Sequence, residues 1–206
     1  MIDYNVRLVD RVTVRDFIEE HHYSHSINGL MSTYCFGMFD QDDVLVGAMI
    51  YGRFAMANVW RKYGSSPESV IELRRLVLVD DTPRNAESYF IGATLRWLKR
   101  NTSVQTVVSY ADPNYGHSGV IYRATNFVHV GMTQPGKVVM WNGKKFHDKA
   151  IRTKYNGKLK PFAVELRRAL ERGEAHYVRQ EPKHIYRLEL DKRRQRKLRE
   201  RHSGRR

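Results

Sequence analysis

The sequence holds one cysteine, Cys35, among 206 residues. A lone thiol cannot build an intrachain disulfide framework or a cysteine-only zinc cage, and it suits a reducing cytosol. No run of eighteen apolar residues occurs, so no segment can span a bilayer as a helix. The opening stretch, MIDYNVRLVDRV, carries acids and no long apolar run, which excludes a secretory signal. There is no internal repeat, and low complexity is confined to the C-terminal tail. Acidic residues are scarce relative to basic ones, 22 against 36, for a net charge of +14.

What is present is a globular composition. Hydrophobic residues make up 41% and aromatics 11%, too rich for a disordered chain and enough for a sizeable core. The charge is uneven. Residues 1–149 hold 17 Lys+Arg against 15 Asp+Glu, and residues 150–206 hold 19 against 7. Residues 1–149 are thus near neutral and the C-terminal part basic; the expected organisation is one domain over residues 1–190 followed by a basic tail, residues 191–206, either disordered or in contact with DNA. The basic C-terminal part, including Arg152, Lys154, Lys158 and Lys160, is the electrostatic footprint of a polyanion, most often nucleic acid. The tail, KRRQRKLRERHSGRR, has a single apolar residue, Leu198, and so no apolar face to lay on a membrane. It also reads as a solubility tail, and its deletion is expected to leave the fold intact.

Periodicity predicts a helix over 12–22 capped by Thr13, a hairpin of strands 33–39 and 44–51 turning at DQDD, and a strand over 70–79. A helix follows to about residue 100, with Asn85 or Thr82 as cap and Pro83 near its first turn. Further strands are predicted over 104–110, 127–131, 137–141 and 184–190, with helices over 118–125 and 161–171. The fold class is therefore α/β, a mixed sheet flanked by helices.

That order resembles the GNAT acyltransferase superfamily, whose acyl-CoA enters a gap between two central strands. The segments HHY (21–23), ELRRLVL (72–78), NAESYFI (85–91), SYADPNYGHSGVIYRATNF (109–127) and KHIYRLEL (183–190) are similar to the Mom family of phage DNA-modification proteins. The resemblance implies modification of the exocyclic amine of adenine in double-stranded DNA with a methylcarbamoyl (acetamido) group, which shields the DNA from host restriction. It further implies acetyl-CoA and Fe(II) as cofactors and the host cytoplasm as location. The oligomeric state stays open, a homodimer being one option.

The site residues follow from the same resemblance beside their own chemistry. A helix N-terminus with free amides favours a pyrophosphate, which points to Arg84, Asn85 and Ser88. The superfamily's glycines are missing there, since Glu87 and Tyr89 stand at their offsets from Arg84, and an ordinary capped helix is the other reading. Arg74 and Arg75 alternate across a strand, so one faces the cleft and needs an anion, either cofactor phosphate or a carboxylate such as Glu72. Tyr122 matches the tyrosine that gives a proton to the departing thiolate, and it also reads as a ring packed on the sheet. His22, Tyr23 and Asp112 match the family's metal positions, with Tyr23 and Asp112 also counted as catalytic. His21, His25 and His117 lie close in sequence to these, and Asp112 alternatively forms a turn before Pro113. Tyr34, Phe54, Trp60 and Trp141 are the aromatics that could stack on an extruded base. Two other functions fit the composition: a GNAT N-acyltransferase acting on a protein or small amine, and a non-catalytic DNA-binding protein that keeps the fold.

Overall fold

The computed structural model describes residues 4–27 and 29–203. Its elements in chain order are β1 (Asn5–Leu8), α1 (Arg11–His21), β2 (Ser32–Phe39), β3 (Leu45–Gly52), β4 (Val70–Leu78), α2 (Ala86–Asn101), β5 (Thr106–Ala111), α3 (Val120–Ala124) and β6 (Val128–Met132). There follow β7 (Gly136–Trp141), β8 (Lys144–His147), β9 (Lys154–Tyr155), β10 (Lys158–Leu159), α4 (Pro161–Glu171), β11 (Ala175–Gln180), β12 (His184–Glu189) and α5 (Lys192–Ser203). Two compact units result. One takes the chain up to Ala111, His117–Gly131 and everything from His184 onward, and the other takes Asp112–Gly116 and Met132–Lys183.

The first unit is built on a seven-stranded sheet in the order β1-β2-β3-β4-β5-β12-β6. The hairpin of β2 and β3 is almost continuously apolar because both of its faces are covered. Met49 and Tyr51 join the core under α2, whereas their neighbours Ala48 and Ile50 join Val14 and Ile18 of α1 on the other face. Alternation along a strand sends successive side chains to opposite faces, so a sheet covered on both sides loses its polar positions. The α2 stripe of Phe90, Ile91, Thr94, Leu95 and Leu98 is buried. Thr94 fits there because its hydroxyl donates to Ile91 O and lies 2.9 Å from Tyr51 Oη.

The second unit holds a three-stranded antiparallel sheet, β11-β7-β8, and the small hairpin of β9 and β10. Helix α4 packs Leu166 and Ala169 onto Val139 and Ala175. Its start at Pro161 agrees with the predicted one, proline being suited to a first turn.

Two expectations are corrected. Residue 13 does not cap the first helix: α1 begins at Arg11 and its N-cap, Asp10, makes no side-chain cap bond. The tail is not disordered over Lys192–Ser203, which form α5. Residues 204–206 of that tail lie outside the described residues. The anchors of α5 are polar, which explains why hydropathy did not reveal them. Gln195 accepts from Glu189 N–H at 2.7 Å and donates to Asn126 O at 2.6 Å. The Arg194 guanidinium lies 2.9 Å from the buried Glu189 carboxylate. Among the described residues no helix is long and apolar enough to cross a membrane.

Candidate active site

The centre of the first unit is a fork. Strands β4 and β5 pair in parallel, but only from Val70↔Thr106 to Leu73↔Ser109. Beyond that point β4 stays on β3 and β5 stays on β12. The two strands share no further ladder, so the gap between them opens at Arg74 and Tyr110. A register shift opposite Ile50/Tyr51 pairs Ile50 with Arg75 and Tyr51 with Leu73, which leaves Arg74 as the extra residue of a bulge. Bulges bend a strand and re-aim its side chains, so the simple alternation expected of Arg74 and Arg75 is broken here. Ser109 closes the fork by donating its hydroxyl to Leu73 O at 3.0 Å.

Both arginines are partly buried at the opening. Arg74 donates to Arg53 O and lies 3.8 Å from Glu72, and Arg75 donates to Arg74 O. The Nε atoms of both are buried with no hydrogen-bond partner. A buried guanidinium with an idle donor is costly unless an acceptor arrives. Burial, above all, pulls the Arg75 guanidinium below its ordinary value, with Tyr23 acting the other way.

His22 and Tyr23 follow α1 and stand at the same place. Their rings are 4.2 Å apart, and His117 lies 5.1 Å from Tyr23. His22 is 5% exposed. Burial first, then Arg75, His117 and His25, bring its imidazole down to about 4, so it is neutral at pH 7. Its Nδ1 accepts the Ser24 N–H at 3.0 Å. His25 instead turns to Glu19 O, and His21 packs at a tilt against Phe17. Tyr122, on α3, is buried. Its burial raises the phenol to about 12, with hydrogen bonding to Ser109 acting in the opposite direction. The ring sits 5.3 Å from Tyr186. Helix α3 can start here only because Gly119 has no side chain: it adopts φ +76°, and a Cβ would fall inside the Tyr186 ring.

A pocket of about 400 Å³ lies at the start of α2, lined by Arg84, Asn85, Glu87 and Ser88 together with Val120 and Ile121 of α3. No side chain caps α2, and Asn85 sits in the left-handed region at φ 72°. Ala86 N–H bonds Pro83 O and Tyr89 N–H bonds Asn85 O. Among the described residues, the amides of Glu87 and Ser88 between them have no such acceptor. Free first-turn amides of this kind are suited to an anion.

The structure treats the remaining expected residues differently. Asp112 belongs to the second unit. Its Oδ1 accepts from Asn114 N–H and Asn114 Nδ2, and its Oδ2 lies 2.7 Å from Lys183 Nζ. Burial alone would push this carboxyl up, but Lys183 and Asn114 together hold it below its ordinary value. It thus fills the turn role before Pro113. Among the described residues no group of three or more His, Cys, Asp or Glu is arranged to hold a metal. Arg152, Lys154, Lys158 and Lys160 are exposed on the second unit, Arg152 paired with Asp148. The four aromatics expected to meet a base are packed instead: Tyr34 on Trp97, Phe54 on Tyr63, Trp60 beside Phe54, and Trp141 against Phe146. Ser109 is a functional position outside the expected set, and its one signal in the sequence is a serine inside the apolar run VQTVVSY. The bulge at Arg74 left no signal in the sequence.

A profile of the Mom protein family matches residues 3–204. The methylcarbamoylase Mom of Escherichia phage Mu is 35% identical over 121 residues, 57% of this chain and 49% of that protein. The chain therefore spans about half the length of this curated relative. Among solved structures, the ribosomal-protein-S5-alanine acetyltransferase of Vibrio fischeri superposes with a TM-score of 0.52 at 10% identity, covering 93% of this chain and 96% of that one. An N-acetyltransferase from Staphylococcus aureus Mu50 gives 0.51 at 13%, covering 92% and 99%. At these identities the likeness concerns the fold, which is of the GNAT acetyltransferase type with a central mixed sheet.

Proposed function

The chain belongs to the Mom protein family, and from that premise we propose that it is a DNA-modifying transferase. It places a methylcarbamoyl group on the exocyclic amine of adenine in double-stranded DNA, using an acyl-CoA and protecting the DNA from restriction. The observation that carries this reading is the fork of β4 and β5. It is lined by two arginines with idle buried donors and a buried tyrosine, and α3 leads from that tyrosine to the uncapped start of α2. Bound acyl-CoA would supply the two-carbon unit; attack of the amine on its carbonyl alone would leave an N-acyl amide, so the N–CH2 bond and the amide nitrogen of the methylcarbamoyl group need a further activation and a nitrogen donor. The Glu87 and Ser88 amides with Arg84 would hold its pyrophosphate, and Arg74 and Arg75 would hold negative charge near the opening. Tyr122 keeps its proton on Oη at neutral pH and is the donor to a departing thiolate. His22 is neutral and its Nδ1 accepts the Ser24 N–H, so Nε2 carries the ring hydrogen and can donate a hydrogen bond to a substrate atom. An adenine amine is out of reach inside a stacked duplex, so the base must be extruded.

For Fe(II), His22 and Tyr23 of the first unit would offer an imidazole and a phenol oxygen, whereas Asp112 lies in the second unit, where Asn114 and Lys183 take up its carboxylate. An imidazole beside an oxygen donor suits Fe(II) better than a structural zinc, which prefers sulfur and nitrogen. Such an ion would supply Lewis-acid or redox activation of the transferred group.

The test is mass spectrometry of nucleosides from cells expressing the wild type, Tyr122→Phe or Asp112→Ala. The wild type is expected to yield a deoxyadenosine heavier by the methylcarbamoyl group, and Tyr122→Phe to yield little or none. Unmodified deoxyadenosine with the wild type overturns the reading, and an acetylated protein or small amine in its place favours the ordinary N-acyltransferase.

A further inference from the structure

The second unit concentrates positive charge. It holds 13 Lys+Arg against 6 Asp+Glu. Part of that charge lines an open pocket of about 720 Å³ bounded by Gly136, Lys137, His147, Asp148, Tyr177 and Arg179. The pocket exists because α4 covers only part of one sheet face. Paired residues across an antiparallel ladder share a face, and the pairs here are Ala175↔Trp141, Tyr177↔Val139 and Arg179↔Lys137. The first pair and Val139 pack with α4. The ladder then runs on past the helix, and its uncovered end presents Tyr177, Lys137 and Arg179.

The chemistry of that end is specific. Among the described residues, neither Lys137 nor Arg179 is paired with a carboxylate. The single acid in the pocket is already matched: His147 Nδ1 lies 2.7 Å and Arg152 Nη2 3.1 Å from the Asp148 carboxylate. Tyr177 is 43% exposed, and the Lys137 ammonium sits 4.2 Å from its ring centroid. That contact fixes the direction of an otherwise flexible cation. Two uncompensated cations, one held in place by an aromatic ring, form a binding element for a phosphodiester backbone.

We propose that the Lys137–Tyr177–Arg179 pocket of the second unit is a DNA-backbone clamp, separate from the site in the first unit. It anchors the duplex by its phosphates and leaves base choice to the chemistry at the fork. This rests on the DNA reading above, and the experiment separates the two. Binding of a labelled duplex by the full chain is measured over a series of salt concentrations for three proteins: the wild type, Lys137→Ala/Arg179→Ala, and a control of equal charge loss on α2, Lys99→Ala/Arg100→Ala. Each lost phosphate contact removes about 0.9 from the slope of log K against log salt. The pocket variant is expected to flatten the slope by roughly 2 and the control to leave it unchanged. Acetyl-CoA should raise the melting temperature of all three alike, which separates a DNA phosphate from a cofactor phosphate. Equal slopes in the wild type and the pocket variant overturn the clamp and leave the modification reading standing. Equal flattening in pocket variant and control also overturns it, the effect then being net charge. A wild type that binds no duplex overturns both.

Discussion

Tyr122 and Ser109 carry the most testable chemistry at the residue scale. The Tyr122 phenol titrates near 10 in an unfolded chain and about 12 in the fold. Between those values the unfolded state releases a proton that the folded state keeps. Stability is therefore full below pH 10 and falls as pH rises, by about 1.4 kcal/mol per pH unit for each such group. Urea midpoints measured from pH 9 to 12 are expected to drop less steeply in Tyr122→Phe than in the wild type. Tyr51 and Tyr110 are raised as well, so the drop is shared among three rings and Tyr122→Phe removes one part. Ser109→Ala loses the hydroxyl that closes the fork on Leu73 O, which should cost about 1 kcal/mol of unfolding free energy. Reconstitution of the wild type and Asp112→Ala with Fe(II) under anoxic conditions, followed by elemental analysis, decides Asp112's second role. Lower iron in the variant makes it a ligand, and equal iron returns it to the turn with Asn114 and Lys183.

The start of α2 and the whole of α5 are the decisive elements. A glutamate in place of Ser88 would set a negative charge among the free amides of the first turn. Ser88→Glu is expected to abolish most of the thermal stabilisation by CoA while keeping the helix, as acids suit a first turn. A stabilisation equal to that of the parent would remove the anion site from α2. Helix α5 changes the expectation for the tail. Its removal would strip Gln195 from Glu189 N–H and Arg194 from a carboxylate that is 4% exposed. An unsatisfied buried group costs about 1–3 kcal/mol. Deletion of residues 192–206 should thus lower the melting temperature, contrary to a solubility tail, and Gln195→Ala should reproduce part of the loss. Hydrogen exchange in β12 is the matching readout.

On the scale of the whole molecule, the order of elements was legible because apolar periodicity follows burial. The hairpin of β2 and β3, the helix α2 and the strand β12 all bury continuous or alternating apolar residues, and the predicted spans fall within a few residues of those observed. The short edge strand Asn5–Leu8 and the basic strand Ala175–Gln180 were not legible. They pair by backbone, and their side chains carry little apolar pattern. The pocket at the start of α2 was legible in part, since Arg84, Asn85 and Ser88 line it, but Glu72, Ser109 and the bulge at Arg74 come together only through the pairing of distant strands. The separation into two units was hidden for the same reason. Its boundary at Asp112 lies inside one motif of the sequence, and both sides of that motif look alike in composition.

The sheet order also has a temporal consequence. Strand β12 lies between β5 and β6, yet the ribosome makes it after every residue of the second unit. Until residue 184 has emerged, β5 and β6 are open edges facing a missing neighbour, and exposed edges invite pairing with another chain. The second unit, whose sheet and helix are local in sequence, can form during that interval, whereas the long-range closure of the large sheet comes last. Chains released before β12 therefore expose the strand ends that flank the fork, and they are expected to aggregate on release, which a pulse-labelled series of stalled chains would report as insoluble material up to a sharp recovery of solubility once β12 has cleared the exit tunnel.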